Sequence, residues 1–216
     1  MRAAKGVSVY SVKECYFTLQ GEGAQTGRAA VFLRFSGCNL WSGLERDRES
    51  AVCRFCDTDF AGVDGPGGGK FGAPRALADH VAKFWPGGGS PIVVCTGGEP
   101  LLQLDAPLID ALHARGFKIA IETNGTIATP FGIDWICVSP KAGTLLAQLS
   151  GDELKLVYPQ VDAPPERFEN LDFSHFFLQP MDGPDRDRNV KAAANYCLAH
   201  PKWRLSLQTH KLIGLP

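Results

Sequence analysis

The sequence predicts an α/β fold, a partial, open βα barrel of the TIM type with about six parallel strands, and three observations point to it. Short β-rich runs alternate with helical patterns from about residue 30 onward, which means βα units and a mostly parallel sheet. The strand-like runs read as apolar over their whole length, as when both faces of a sheet are covered. The 216 residues fall short of the ~250 of a complete eight-unit barrel. One domain, residues 1–216, accommodates that length, with an insertion in the loop that follows the first strand candidate.

The elements follow from local pattern. Strand candidates are 30–35, 92–95, 118–121, 135–138, 154–158, 176–178 and 204–207. A helix over 74–85 opens with Pro74 at a first-turn position and carries Leu77, Val81 and Phe84 at helical spacing. A second, over 101–115, stops at Gly116, and a third, over 188–198, follows Asp185 and Asp187, either of which can cap it. Polar residues succeed the strands: Thr96-Gly97-Gly98-Glu99, Glu122-Thr123-Asn124-Gly125, Ser139-Pro140-Lys141 and Gln179. In βα barrels these loops form the active face. Two segments break the rhythm: 39–52 is charged, and 61–72, with six glycines, reads as a loop.

An apolar content of 44% is that of a globular enzyme, and a net charge of −1 excludes a general nucleic-acid binder or a membrane-surface protein. No apolar run approaches transmembrane length. Residues 1–10 have no apolar core of a secretory leader. The odd count of seven cysteines in a chain too large to need disulfide staples fits a reducing, cytoplasmic compartment. Cys95 and Cys137 lie in apolar runs, Cys197 on the apolar face of a helix and Cys15 in a short amphipathic stretch, so all four are expected in the core. His80, His113 and His200 have no partner in the pattern and are read as structural.

Cys38, Cys53 and Cys56 are different. A closed zinc site needs four ligands, and this run offers three thiolates with no histidine nearby. A redox Cys-x-x-Cys opens a helix after a strand, whereas Asp57-Thr58-Asp59 and the glycine run follow here. Three thiolates leave one iron of a 4Fe-4S cluster open for a small ligand. Phe55 places an aromatic face beside the pair.

The triad, the Thr96-Gly97-Gly98-Glu99-Pro100 run and the partial barrel together resemble the radical S-adenosylmethionine superfamily. One spacing departs from the family's usual pattern: fourteen residues separate Cys38 from Cys53, where three are usual. With Leu19-Gln20-Gly21-Glu22-Gly23 and Leu207-Gln208-Thr209-His210-Lys211, this expanded loop resembles a branch of that family acting on a carboxylated pterin. The resemblance runs over essentially the whole chain. It implies a lyase that rearranges 6-carboxy-5,6,7,8-tetrahydropterin to 7-carboxy-7-deazaguanine with loss of ammonia. The reaction would use a 5′-deoxyadenosyl radical, with S-adenosylmethionine regenerated.

Residue by residue, the resemblance implies that Cys38, Cys53 and Cys56 hold the cluster and that Thr58 is a magnesium (Mg2+) ligand. By residue type Asp57 and Asp59 serve magnesium equally well. Leu19, Gln20, Gly21, Arg34, Thr96 and Pro216 would line the substrate pocket. Arg34 could form a bidentate pair with a substrate carboxylate; a surface salt bridge is the competing reading, disfavoured by its apolar flanks Phe32, Leu33 and Phe35. The apolar 212–216 tail would pack on the barrel and bring a terminal carboxylate to the pocket. Phe55, Gly98, Glu99, Asn124, Ser139, Pro140, Lys141, Gln179, Pro180, Met181 and Asp182 would meet S-adenosylmethionine. Glu122 is the catalytic candidate, with a capping or salt-bridging carboxylate at even standing. An electron donor such as flavodoxin and a homodimer are the expected partners. A glycyl-radical activating enzyme would share the cofactor but admit a protein loop and need no magnesium. A zinc-stabilised binding module would carry zinc and no sulfide.

Overall fold

The computed structural model describes residues 9–216; residues 1–8, most of the stretch read above for a leader, lie outside the described residues. In chain order the elements are β1 (Tyr10–Leu19), β2 (Ala29–Phe35), β3 (Gly69–Phe71), α1 (Pro74–Ala82), β4 (Ile92–Gly97) and α2 (Ala106–His113). They continue with β5 (Lys118–Thr123), β6 (Trp135–Val138), β7 (Ser150–Tyr158), β8 (Asp172–Pro180), α3 (Arg186–Ala199), β9 (Trp203–Leu205) and α4 (Thr209–Ile213). The strands form one nine-stranded sheet in the order β3-β1-β2-β4-β5-β6-β7-β8-β9. From β2 to β9 every neighbouring pair is parallel. The barrel is open, with β3 and β9 as its edges.

All the strand candidates are present, and β1 and β3 are additions. The helix expected over 101–115 begins only at Ala106. Pro107 explains this: inside a helix starting at 101 its ring would clash with the preceding turn, but in the first turn it is tolerated. Asp105 then caps the start, its carboxylate accepting from the Leu108 amide at 3.1 Å. At α3, Asp185 takes the cap position without a side-chain capping bond. The crossovers β5–β6, β6–β7 and β7–β8 contain no α-helix.

The main core lies between the outer sheet face and α1 and α2, with Val31, Leu33, Phe35, Val93, Cys95, Ile119 and Ile121 meeting Leu77, Val81, Leu108 and Leu112. A second core joins β7 and β8 to α3 and Trp203. Ala30, Ile92, Val94 and Ala120 make a third cluster with Phe32 and Trp135.

The strands are not apolar throughout, contrary to expectation. Glu122, on β5, and Glu153 and Lys155, on β7, point into the barrel, and the last two are buried. A register shift in β1 between Val12 and Glu14 does related work. The bulge turns the alternation over, so that Val12 and Cys15 stay in the main core while Glu14 and Tyr16 reach the cleft.

Candidate active site

A cleft of about 400 Å³ lies at the C-terminal ends of the parallel strands. It gathers Leu19, Gln20, Arg34, Cys38, Cys53, Phe55, Cys56, Thr58, Thr96, Gly98, Glu122, Asn124, Ser139, Lys141, Gln179, Pro180, Met181, Asp182 and Pro216. Three expected site residues are placed elsewhere: Gly21, Glu99 and Pro140 are not part of the wall.

One wall carries thiols. Cys38, Cys53 and Cys56 are the cysteines that line the cleft, among the described residues, and the donor set of three thiols fits a cluster with one open iron. Glycine lets this wall form. A Cβ on Gly98 would run into the Gly37 carbonyl and Cys38, and Gly97, at φ +146°, faces the Phe35 backbone. The Glu99 amide donates to the Gly37 carbonyl at 2.9 Å, which locks the two loops together. Within the pair, a hydrogen bond from Cys53 holds the Cys56 thiol below its ordinary range. Cys15, Cys95 and Cys137 are buried away from the cleft, and burial pushes the Cys15 thiol up to about 12.

Glu99 and Pro140 build the frame behind the wall. The fully buried Glu99 carboxylate accepts from the Leu101 amide at 3.0 Å, Thr123 Oγ1 at 2.8 Å and the Asn124 amide at 2.8 Å. Asn124 Nδ2 donates to Asn39 Oδ1 at 2.9 Å, tying the loop after β5 to the loop after Cys38. Gln160 holds the Ser139–Lys141 turn by donating to the Pro140 carbonyl at 3.2 Å and accepting from the Ala142 amide at 2.9 Å. Asn189 on α3 donates to the Met181 carbonyl at 2.9 Å.

The cleft interior is charged. The buried Lys155 ammonium sits 2.7 Å from Glu22 Oε2 and 2.8 Å from Glu122 Oε2. Gln20 Nε2 donates to Glu122 Oε1 at 3.2 Å. Burial pushes the Glu122 carboxyl up, opposed by Lys155 and helped by Glu153 and Glu22. Glu22 is held low: burial acts against ionisation, but Lys155 and Gln208 outweigh it. Arg34 is paired within the cleft and not on the surface: its Nε lies 2.6 Å from Glu14 Oε1, and Nη2 donates to the Tyr16 hydroxyl at 3.1 Å. Apolar neighbours on a strand say only that the chain is extended there; residue 34 itself faces the cleft, where β1 presents Glu14 opposite.

The carboxylates flanking Thr58 are already engaged. Asp57 accepts from Lys211 Nζ at 2.7 Å and Gln208 Nε2 at 3.1 Å. Asp59 is 2.8 Å from Lys13 Nζ. Lys211 also reaches Asp182 Oδ2 at 2.6 Å, so α4 lies across the cleft mouth. Thr209 N and Oγ1 donate to the Gly21 carbonyl at 2.9 and 3.0 Å, and Thr18 Oγ1 donates to the Pro216 carbonyl at 3.2 Å.

Sequence reasoning missed Lys155, Glu14, Tyr16, Gln208, His210 and Lys211 as cleft residues. Lys155 carried a signal, a charge in the middle of an apolar strand, and Gln208, His210 and Lys211 lay in the 207–211 motif already singled out, without a place in the cleft.

Residues 49–207 match the family model described as the Radical SAM superfamily. The chain is 66% identical over 208 residues to the 7-carboxy-7-deazaguanine synthase of Caulobacter vibrioides, covering 96% of this chain and 99% of that protein. It is 63% identical to the protein of that name from Bordetella pertussis, at 96% and 99% coverage. The fold is similar to the crystal structure of QueE from Escherichia coli, with a TM-score of 0.67 and 26% identity over 92% of this chain and 93% of that one.

Proposed function

Because the chain belongs to the radical SAM superfamily and to its 7-carboxy-7-deazaguanine synthases, we propose the following division of labour in its cleft. The activity is that of a lyase converting 6-carboxy-5,6,7,8-tetrahydropterin to 7-carboxy-7-deazaguanine with loss of ammonia, in queuosine biosynthesis. The observation that carries it is the meeting of three cluster-type thiols with a charged pocket of about 400 Å³ in one cleft, a volume within the range of small-molecule sites.

Cys38, Cys53 and Cys56 would hold the 4Fe-4S cluster. Gly98, Ser139, Lys141 and the Gln179–Asp182 run would take S-adenosylmethionine, with Phe55 and Asn124 beside them. When bound, these groups supply the one-electron and hydrogen-transfer chemistry. The chain's own residues bind and orient the pterin. Arg34, kept in place by Glu14 and Tyr16, presents its guanidinium to the substrate carboxylate, and Gln20, Leu19, Thr96 and the 216 end of the tail enclose the ring. Gly21 acts from behind by holding α4. Glu122, with its proton affinity raised by burial, is suited to move a proton at the departing nitrogen.

Thr58 is the magnesium ligand in this reading. Asp57 and Asp59 are spent on lysines, which leaves the Thr58 hydroxyl as the uncommitted oxygen donor between them. Among the described residues no helix is long and apolar enough to cross a membrane; a cytoplasmic enzyme drawing electrons from a donor such as flavodoxin accords with the family.

Anaerobic reconstitution followed by product analysis tests the whole. The expected result is 7-carboxy-7-deazaguanine and ammonia in amounts exceeding any cleaved cofactor, faster with magnesium, with Thr58→Ala losing that metal dependence. Cofactor cleavage without pterin turnover would overturn the substrate; turnover untouched by chelation would overturn the metal.

A further inference from the structure

The fourteen residues between Cys38 and Cys53 hold a side chain that reaches back to the thiol loop. We propose that Arg48 is a positioning residue for the cluster, fixing the Cys53–Cys56 loop in the shape that binds it. The inference rests on the cluster assignment above and concerns this chain's own residues.

Residues 51–59 form no helix or strand, and among the described residues 54–59 make no backbone–backbone hydrogen bond. A loop without such bonds takes its shape from side chains. Asp57 and Asp59 fasten its far end to Lys211 and Lys13, and Arg48 holds the part that carries both cysteines. Its Nη1 donates to the Arg54 carbonyl at 2.9 Å and to the Cys56 carbonyl at 3.1 Å, spanning the same turn that carries both cysteines.

The guanidinium is itself held from two other sides. Nε lies 2.8 Å from both oxygens of Glu45, and the guanidinium carbon stacks 4.1 Å above the Trp41 ring. Trp41 is 8% exposed and meets the buried Phe60 edge to face at 5.5 Å. The insertion is thus anchored to the body of the protein at Trp41 and to the cluster loop at Arg48. Only a planar, multi-donor cation can stack, pair with a carboxylate and bridge two carbonyls at once; a lysine ammonium cannot.

The test compares wild type with Arg48→Met, Arg48→Lys and, as a control, Arg46→Met, whose side chain is 79% exposed. Amide exchange over 53–58 in the unloaded chain and iron release to a chelator after anaerobic reconstitution are the readouts. Arg48→Met is expected to raise exchange across 53–58 and to weaken iron retention roughly ten- to a hundredfold, the usual scale for a residue that orients metal ligands. Arg48→Lys is expected to fail on both counts, while keeping the cluster's midpoint potential nearer wild type because the positive charge remains. Arg46→Met is expected to match wild type.

Wild-type exchange and retention in Arg48→Met, or full rescue by Arg48→Lys, would overturn the proposal. A wild-type chain that took up no iron would overturn the cluster reading instead, and the exchange data on the unloaded chain would still decide the role of Arg48. If Arg48→Met did not fold, Glu45→Gln, which frees the guanidinium without removing it, should show the same two changes at smaller size; its identity with wild type would count against the clamp.

Discussion

A lysine on a buried strand is costly unless carboxylates meet it, and Lys155 meets Glu22 and Glu122 within 2.8 Å. Removing it as Lys155→Met would leave two largely buried carboxylates without their cation, a loss of up to about 3–5 kcal/mol by the usual scale for broken buried pairs. Denaturant titration should show it, and a change below about 1 kcal/mol would mean water already screens the group. Glu122 gives a pH signature. Burial raises its folded value above the ordinary 4.5, so the folded chain keeps a proton that the unfolded chain has lost. Stability therefore falls as pH rises from that ordinary value through the raised folded one. Glu22, held low, acts oppositely, contributing stability that is lost as pH falls below its ordinary value. Glu122→Gln removes the first effect alone. Its stability relative to wild type should grow as pH climbs above the ordinary carboxylate value, measured by melts across pH; a difference independent of pH would place the Glu122 proton affinity at its ordinary value.

At the level of elements, the short α4 has five residues and could not persist alone. Polar bonds from Gln208, Thr209 and Lys211 to Gly21, Glu22, Asp57 and Asp182 hold it over the cleft. A Cβ at Gly21 would run into the His210 imidazole. Gly21→Ala should therefore displace α4 and raise the KM for the pterin roughly tenfold or more, as misplaced site residues do, while the barrel melts near the wild-type temperature. Unchanged kinetics would show that α4 does not shape the pocket. Such contacts explain what the sequence could and could not disclose. The parallel strands were legible because each contains a short apolar, β-rich run even where Glu122 or Lys155 turns inward, and the thiol triad because its spacing is local. β1 was not, since its bulge breaks the alternation around Lys13 and Glu14, and β3 is three residues inside a glycine run. The Asp57–Lys211 pair joins residues 154 apart in sequence, and no local pattern can show that.

For the whole molecule, the missing helices matter most. A parallel sheet is stable when both faces are covered, yet the crossovers β5–β6, β6–β7 and β7–β8 carry no α-helix. Each of these crossovers instead exposes large apolar side chains: Phe131 at 100%, Leu145 at 86% and Val161 at 96%. Single exposed apolar residues are ordinary, but one on each of three successive crossovers suits burial against another protein surface. Closed two-fold dimers are the commonest way to achieve it. The expected state is thus a homodimer, twice the 23.3 kDa chain, in sedimentation velocity at micromolar concentration. Phe131→Asp or Val161→Asp should shift it toward monomer while leaving cluster uptake intact, because neither residue lines the cleft. A wild-type chain that sediments as a monomer at every concentration would assign these side chains to solvent, and the barrel would then be stable with its outer layer incomplete.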